Sequence, residues 1–308
     1  IVQNNGPTFD GVNLTNGFHP QWMMIILPIY KIAGSLEDSL RYIVFIQGVL
    51  NIVSITLLFM WLKRTFNSLI AVNGVVLAFC FYSPLILMFN GLESALVFFW
   101  IILIVYLTSL LDLLAPDASL AKRIFLGALF AGLFTARLDA AFVLISLAIL
   151  KLLWPGGTRD KTYLVRLITA YLPTVATFAL LSSPYFIWNH VNFGHLTPIS
   201  GSIKSSFPTI MSENDIGSHS IPYVVPFILI LVYMAYTTVF KGNEISKHMY
   251  SQSRGEEGKM MIIALTLGCA IHLLWTKLFM LFGTYQWHFV MYIAVSYTHL
   301  RAHETATY

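Results

Sequence analysis

Long runs of hydrophobic residues separated by short polar segments dominate this chain, and the pattern predicts helices that cross a membrane. A helix needs about 20 apolar residues to span the hydrocarbon core of a bilayer. Six runs approach that length, namely Leu40–Leu62, Ser68–Phe89, Ala95–Leu114, Tyr163–Trp188, Ile221–Phe240 and Met260–Phe282. We therefore expect about six full transmembrane helices in this sequence.

Two further hydrophobic segments do not fit a single span. The segment Trp22–Ala33 contains Pro28 and is short, so we expect a helix that lies at the membrane interface. The segment Arg123–Trp154 is too long for one span and is interrupted by Thr135–Asp139, which predicts a hairpin of two helices. The whole pattern predicts an all-α protein, a polytopic bundle of transmembrane helices.

The composition agrees with an integral membrane protein. The chain has 308 residues, of which 57% are hydrophobic and only 10% are charged. Soluble domains average about 25% charged residues. The net charge of +4 is small, and we expect the lipid bilayer, not nucleic acid, as a partner. Motifs of soluble enzymes such as the Walker loop, the dinucleotide fingerprint, HExxH and GxSxG are absent.

The two ends of the sequence differ from its middle. Residues 1–39 are predicted to form part of an outer loop with the interfacial helix. Residues 40–294 are predicted to form the transmembrane domain, with a long outer loop at 189–220. The segment Val295–Thr305 looks like the in-frame translation of a transposase-type sequencing adapter. We therefore expect residues 295–308 to be a non-native tail, and we exclude its histidines and charged residues from the candidate site.

Lysine and arginine are distributed unequally between the two ends of the predicted helices. Twelve of these 18 residues fall on one side if the first span runs from outside to inside. An excess of Lys and Arg marks cytoplasmic loops, so this side is predicted to be cytoplasmic. The opposite side holds the polar loops Thr8–Trp22, Asn90–Ser94, Thr135–Asp139, Asn189–Ser220 and Gly283–His288. We expect the chemistry on that outer side.

Three ionisable residues adjoin the predicted helix ends on the outer side. Ionisable groups at membrane depth are costly, so they are retained for pairing or for function. Arg137 and Asp139 either form a local ion pair that caps the two hairpin helices, or Arg137 binds a lipid phosphate through its planar fork. Glu93 is either an acid favoured by the dipole of the following helix or a carboxylate of a shared outer cleft.

The outer loops add four more candidates. Lys204 is the single cation of the segment Trp188–Pro208; it is either a solvated surface charge or a residue that neutralises a phosphate, and long loops are often functional. Asn189 in the same segment is a candidate for substrate binding. Asp10 and His19 are the ionisable residues of the opening loop, and either turn chemistry or a place in the cleft explains them.

Four outer segments, in order along the chain, resemble a known family. They are TFDGVNLTNGFHPQW, NGLESAL, TARLDAAFVL and YFIWNHVNFGHLTPISGSIKS. In combination they resemble polytopic prokaryotic membrane glycosyltransferases of the GT-C type, related to protein O-mannosyltransferases and to the aminoarabinose transferases that modify lipid A. The resemblance covers nearly all of Thr8–Ala294, and it depends on the combined order because no single motif is specific.

The resemblance implies a GT-C-like fold and transfer of a sugar from a polyprenyl-phosphate donor to a glycan, lipid or protein acceptor. The reaction is expected on the extracytoplasmic face of a prokaryotic plasma membrane. Inverting transfer needs one base on the acceptor hydroxyl and cations on the developing phosphate charge. We expect Asp10, Glu93 and Asp139 as catalytic residues, and His19, Arg137, Asn189 and Lys204 as substrate-binding residues. A divalent metal, used by some relatives, stays open.

The sequence departs from the family in one respect. The principal acidic residue of such enzymes follows the first transmembrane helix. Neither that helix nor that acidic residue is present before Ile1. We therefore expect an inactive fragment that begins after the main carboxylate, with Asp10 as a supporting residue. The alternative function is a transporter or lipid flippase, which would place ionisable residues near the bilayer midplane, often within internal repeats. A non-catalytic membrane scaffold is a third interpretation. The polar residues gather on one face, which favours the enzyme.

Overall fold

The computed structural model describes most of the chain as helix. The described residues are 6–8, 12–65, 68–80, 82–115, 117–153, 162–198, 256–281 and 286–299, with shorter stretches between 201 and 232. Within them the only extended pairings are two isolated bridges, Thr8 with Leu14 and Ser205 with Met280. The prediction of an all-α protein is confirmed for this part of the chain.

Ten helices are defined in the described part of the chain; the first eight follow one another closely, and a longer segment precedes the last two. The ten are α1 (Pro20–Ile32), α2 (Leu36–Thr65), α3 (Ser68–Cys80), α4 (Tyr82–Met88), α5 (Ser94–Leu111), α6 (Leu120–Ala136), α7 (Ala141–Leu153), α8 (Tyr163–Phe193), α9 (Glu256–Phe279) and α10 (Val290–His299). A 3-10 turn, Leu138–Ala140, joins α6 to α7, and a second one, Gln286–Phe289, precedes α10.

Four helices among the described residues are long and apolar enough to cross a membrane. They are α2, α5, α8 and the Met260–Phe279 part of α9. Each corresponds to one of the predicted spans, so the description as a membrane protein is confirmed. The predicted span Ile221–Phe240 lies largely outside the described residues.

The predicted span Ser68–Phe89 differs from the structure, which has two shorter helices there, α3 and α4. Phe81, which lies between the two helices, is outside the described residues.

The predicted hairpin is present as α6 and α7. The hydroxyl of Ser119 accepts a hydrogen bond from the backbone N–H of Lys122 at 3.4 Å and begins α6. The helix ends at Arg137, whose backbone is extended with φ −158° and ψ 119°. The extended residue turns the chain, and α7 returns along the bundle. α1 has 13 residues, too few to cross a bilayer, and its interfacial position stays a prediction.

The two helices of the hairpin pack closely against neighbouring helices at two glycines. α6 packs against α8, and α7 packs against α9. A Cβ atom at Gly127 of α6 would meet the backbone carbonyl of Thr174 and lie 2.8 Å from Cβ of Thr177. A Cβ atom at Gly268 of α9 would lie 2.6 Å from Cα of Val143. Since backbone atoms cannot move aside as a flexible side chain can, both positions require glycine.

We predict that Gly127→Ala and Gly268→Ala each destabilise the bundle, because overpacking a tight contact costs about 1–3 kcal/mol. The measurement is thermal unfolding of the protein in detergent. Gly48→Ala in α2 is the matched control, because its Cβ would find only Phe89 at an ordinary 3.7 Å. Equal melting temperatures for all three variants would contradict the packing described here.

Candidate functional site

The turn between α4 and α5 places Glu93 at one end of the bundle. Gly91 has a φ of +80°, which favours glycine, and the side chain of Asn90 accepts from the N–H of Leu92 at 2.9 Å. From α2, Gln47 donates to the carbonyl of Leu92 at 2.7 Å and accepts from the N–H of Gly91 at 3.2 Å. The turn is therefore held by side chains, and Glu93 is only 5% exposed.

Arg137 joins two carboxylates at this end. Its Nε donates to both carboxylate oxygens of Asp139, at 2.8 and 2.9 Å. Its Nη1 donates to Oε1 of Glu93 at 3.2 Å. Arg137 is 2% exposed, so these contacts are made away from solvent. The ion pair between Arg137 and Asp139 anticipated as a cap is present, and Glu93 extends it to a different helix.

Two histidines flank the carboxylates. Nε2 of His19 lies 3.3 Å from Oε1 of Glu93, and the His19 side chain is 32% exposed. Nε2 of His272, from α9, lies 3.6 Å from Oδ2 of Asp139. We call His19, Glu93, Arg137, Asp139 and His272 the polar cluster. One guanidinium faces two carboxylates, so the cluster carries one net negative charge when both histidines are neutral.

The far side of the polar cluster is held by α10. Nδ1 of His272 lies 3.0 Å from the hydroxyl of Tyr292. That hydroxyl donates to the carbonyl of Cys269 at 2.8 Å. Since Tyr292 gives its proton to a carbonyl, it is placed to accept from His272, which fixes the orientation of the imidazole ring.

Electrostatics sets the protonation of two cluster members outside the spans. Burial alone would raise the pKa of Asp139, but the guanidinium of Arg137 outweighs it and, with the histidines, holds the pKa at about 2. Burial lowers the pKa of His19 below its usual 6.5, against the opposing charge of Glu93, and Lys204 adds to the lowering. At neutral pH Asp139 is therefore an anion and His19 is neutral.

The remaining predicted site residues lie at the same end or outside the described part. Asn189 is fully buried in the last turn of α8; it accepts from the side chain of Asn16 at 3.1 Å and donates to the carbonyl of Leu196 at 3.2 Å. Lys204 is exposed, and its charge reaches His19. Asp10 lies outside the described residues. The structure therefore brings together six of the seven predicted residues at one end of the bundle.

Comparison of the chain with known protein families, with curated proteins and with solved structures gives no match. The chemistry of this end is therefore argued from its geometry. In the part of the chain that the structure describes, no group of three or more His, Cys, Asp or Glu side chains is arranged to hold a metal ion.

Sequence reasoning missed His272 and Tyr292. A signal existed for His272, because it is an ionisable residue within the apolar sequence of α9, and such residues are functional candidates by default. Tyr292 and Gln47 carried no comparable signal. Their roles depend on contacts between helices that are far apart in the sequence.

We predict that Arg137→Gln strongly destabilises the protein, because it leaves two buried carboxylates without their cation, a change that costs about 3–5 kcal/mol. Thermal unfolding in detergent measures the loss. Adding Glu93→Gln to this variant should recover part of it. Arg41→Gln is the control, because Arg41 pairs with Glu37 on the surface, where ion pairs contribute about 0–1 kcal/mol. Similar losses for both single variants would contradict the bridging role of Arg137.

We predict that acidification from about pH 7 to about pH 5 lowers the melting temperature through His19. The unfolded chain takes up a proton near its normal pKa, whereas folded His19, with its lowered pKa, resists it. Stability contributed by neutral His19 is therefore lost as the pH falls below about 6.5. His19→Gln should reduce this pH dependence, and His195→Gln, at an exposed histidine, should keep it. An unchanged slope in His19→Gln would contradict the lowered pKa.

Proposed function

We propose that the chain is the helical membrane part of a GT-C-type glycosyltransferase that transfers a sugar from a polyprenyl-phosphate donor to an acceptor hydroxyl. One observation carries the proposal: Nε2 of His19 lies 3.3 Å from Oε1 of Glu93, and the exposed cation Lys204 lies at the same end of the bundle. A proton acceptor and a phosphate ligand at one end of the bundle suit this transfer. The proposal includes the finer features of a prokaryotic plasma membrane and an extracytoplasmic polar end.

His19 accepts the proton of the acceptor in this mechanism. The acceptor oxygen attacks the anomeric carbon of the sugar, the bond from that carbon to the phosphate oxygen breaks, and the bonding electron pair remains on the phosphate. Nε2 of His19 faces Glu93, and its buried Nδ1 has no hydrogen-bond partner within the described residues. Nδ1 takes the hydroxyl proton, and the adjacent Glu93 carboxylate stabilises the imidazolium that forms. Because Nδ1 is buried, this mechanism requires a local opening around His19 that admits the acceptor.

Lys204 binds the leaving phosphate. The departing phosphate gains negative charge, and a cation beside it stabilises the transition state. Arg137 was predicted to share this task, but its guanidinium already holds Asp139 and Glu93. We therefore assign Arg137, Asp139 and His272 to positioning: they fix the carboxylate of Glu93 at the orientation that His19 uses. Asn189 positions the opening loop through Asn16.

A carboxylate, which the resemblance implies as the principal acid, is a competing base, and the pH profile of transfer separates it from His19. If His19 takes the proton, the acidic limb of kcat/KM lies near or below the normal histidine pKa of about 6.5. If a carboxylate takes it, the limb moves toward about pH 4 and His19→Gln does not shift it.

The test is transfer of radiolabelled sugar from polyprenyl phosphate by the full-length protein in proteoliposomes. His19→Gln should lower kcat by about 10²-fold or more, the size of a general-base contribution. Lys204→Gln should lower it by about 10²-fold through loss of charge stabilisation.

The matched controls are His195→Gln and Lys31→Gln, both at exposed positions, and both should retain transfer. Transfer by a folded His19→Gln variant at the rate of its control would refute the role of His19. Absence of transfer by the folded, unsubstituted protein would refute the proposed function itself.

A further inference from the structure

An apolar groove lies between α7 and α8. Its volume is about 660 Å³, within the range of about 300–1,000 Å³ typical of ligand pockets. Phe130 and Phe134 of α6 line it together with one face each of α7 and α8. Only 6% of the most apolar stretch of α8 is buried inside the protein. The groove therefore adjoins a helix surface that faces lipid.

The length of the groove matches one leaflet of a bilayer. Along α7 its lining runs from Ala141 to Leu152, and along α8 from Leu167 to Phe178. At about 1.5 Å per residue, either stretch is about 16 Å long. The hydrocarbon core of a bilayer is about 30 Å thick, so each leaflet contributes about half of that length. The groove therefore has the dimensions of a single acyl chain.

Positive charge gathers at one end of the groove. Lys151 lines that end, where its Nζ donates to the carbonyl of Leu114 at 2.9 Å and lies 5.9 Å from the ring of Tyr171. The guanidinium of Arg123 lies 4.1 Å from the same ring. Arg166 is exposed in the first turn of α8. This end is the one opposite the polar cluster, because α7 begins at the cluster and runs away from it.

The surrounding residues keep this end positive. The hydroxyl of Tyr163 donates to the carbonyl of Lys151 at 2.5 Å, which holds the start of α8, the part that contains Arg166, against the end of α7. Two exposed carboxylates, Asp112 and Asp117, belong to the connection between α5 and α6. Among the described residues near this end, Lys122, Arg123, Lys151 and Arg166 outnumber them.

We propose that this groove binds one acyl chain of an anionic phospholipid, with the headgroup phosphate against Lys151 and Arg166. The apolar walls accept the chain, and the cations at the end select a negative headgroup. The residues that carry this proposal differ from those that carry the sugar transfer proposed above. The donor lipid does not fit as well, since its phosphate is needed beside Lys204, at the opposite end of the bundle.

The occupant is tested by photolabelling of the full chain in phosphatidylcholine nanodiscs. The probe is phosphatidylglycerol with a photoreactive diazirine in one acyl chain, and we expect labelled peptides from α7 and α8. Ala148→Phe fills the groove and should lower labelling by about tenfold. Ala179→Phe is the matched control, because Ala179 is exposed on α8 but does not line the groove, and it should keep the labelling.

The headgroup preference is tested with Arg166→Gln and Lys151→Gln, each compared with Lys31→Gln. Both changes should lower the preference for phosphatidylglycerol over a matched phosphatidylcholine probe by about tenfold. The proposal is overturned by equal labelling with both probes in the unsubstituted protein, or by labelling that Ala148→Phe does not reduce. Stronger labelling by a photoreactive polyprenyl phosphate would also overturn it and assign the groove to the donor. Sugar transfer is not a readout, so this test stands apart from the proposed function.

Discussion

The pairing of Arg137 with Asp139 and Glu93 is the interaction on which the polar end of the bundle depends. Charges removed from water are stabilised only when each has a partner in good geometry. A guanidinium supplies several donors in one plane, so the Nε of Arg137 can donate to both oxygens of Asp139 while its Nη1 reaches Glu93. This pairing joins the hairpin tip to the start of α5, and the two histidines take their positions from the two carboxylates.

The same hairpin is held by cations at its other end. Arg123 donates to the carbonyl of Ala115 at 2.5 Å, and Lys151 donates to the carbonyl of Leu114. Both therefore bind backbone of the connection between α5 and α6. Side chains that carry charge therefore hold the hairpin at both of its ends, at the tip through Arg137 and at the base through Arg123 and Lys151.

The pairing also divides the chemistry among residues that look alike in the sequence. Arg137 and Lys204 were equivalent candidates for a phosphate, yet one is buried between carboxylates and the other is exposed. Glu93 and Asp139 were equivalent candidate acids in the sequence, and in the structure the same guanidinium binds both of them. His19 is left with a side chain that is partly exposed and with a buried Nδ1 that has no hydrogen-bond partner among the described residues. Position in the ion-pair network, more than residue type, decides the proposed role.

Hydrophobic runs and charge asymmetry determined the all-helical membrane class, the hairpin and the gathering of polar residues at one end. These features follow from local composition, because a bilayer requires long apolar helices whatever their packing. Tertiary structure alone brought Arg137 to Glu93, which lies 44 positions away along the chain. It also decided the places of His272 and Tyr292. Pairing and burial are relations between distant residues, and a linear pattern contains the candidates but not their distances.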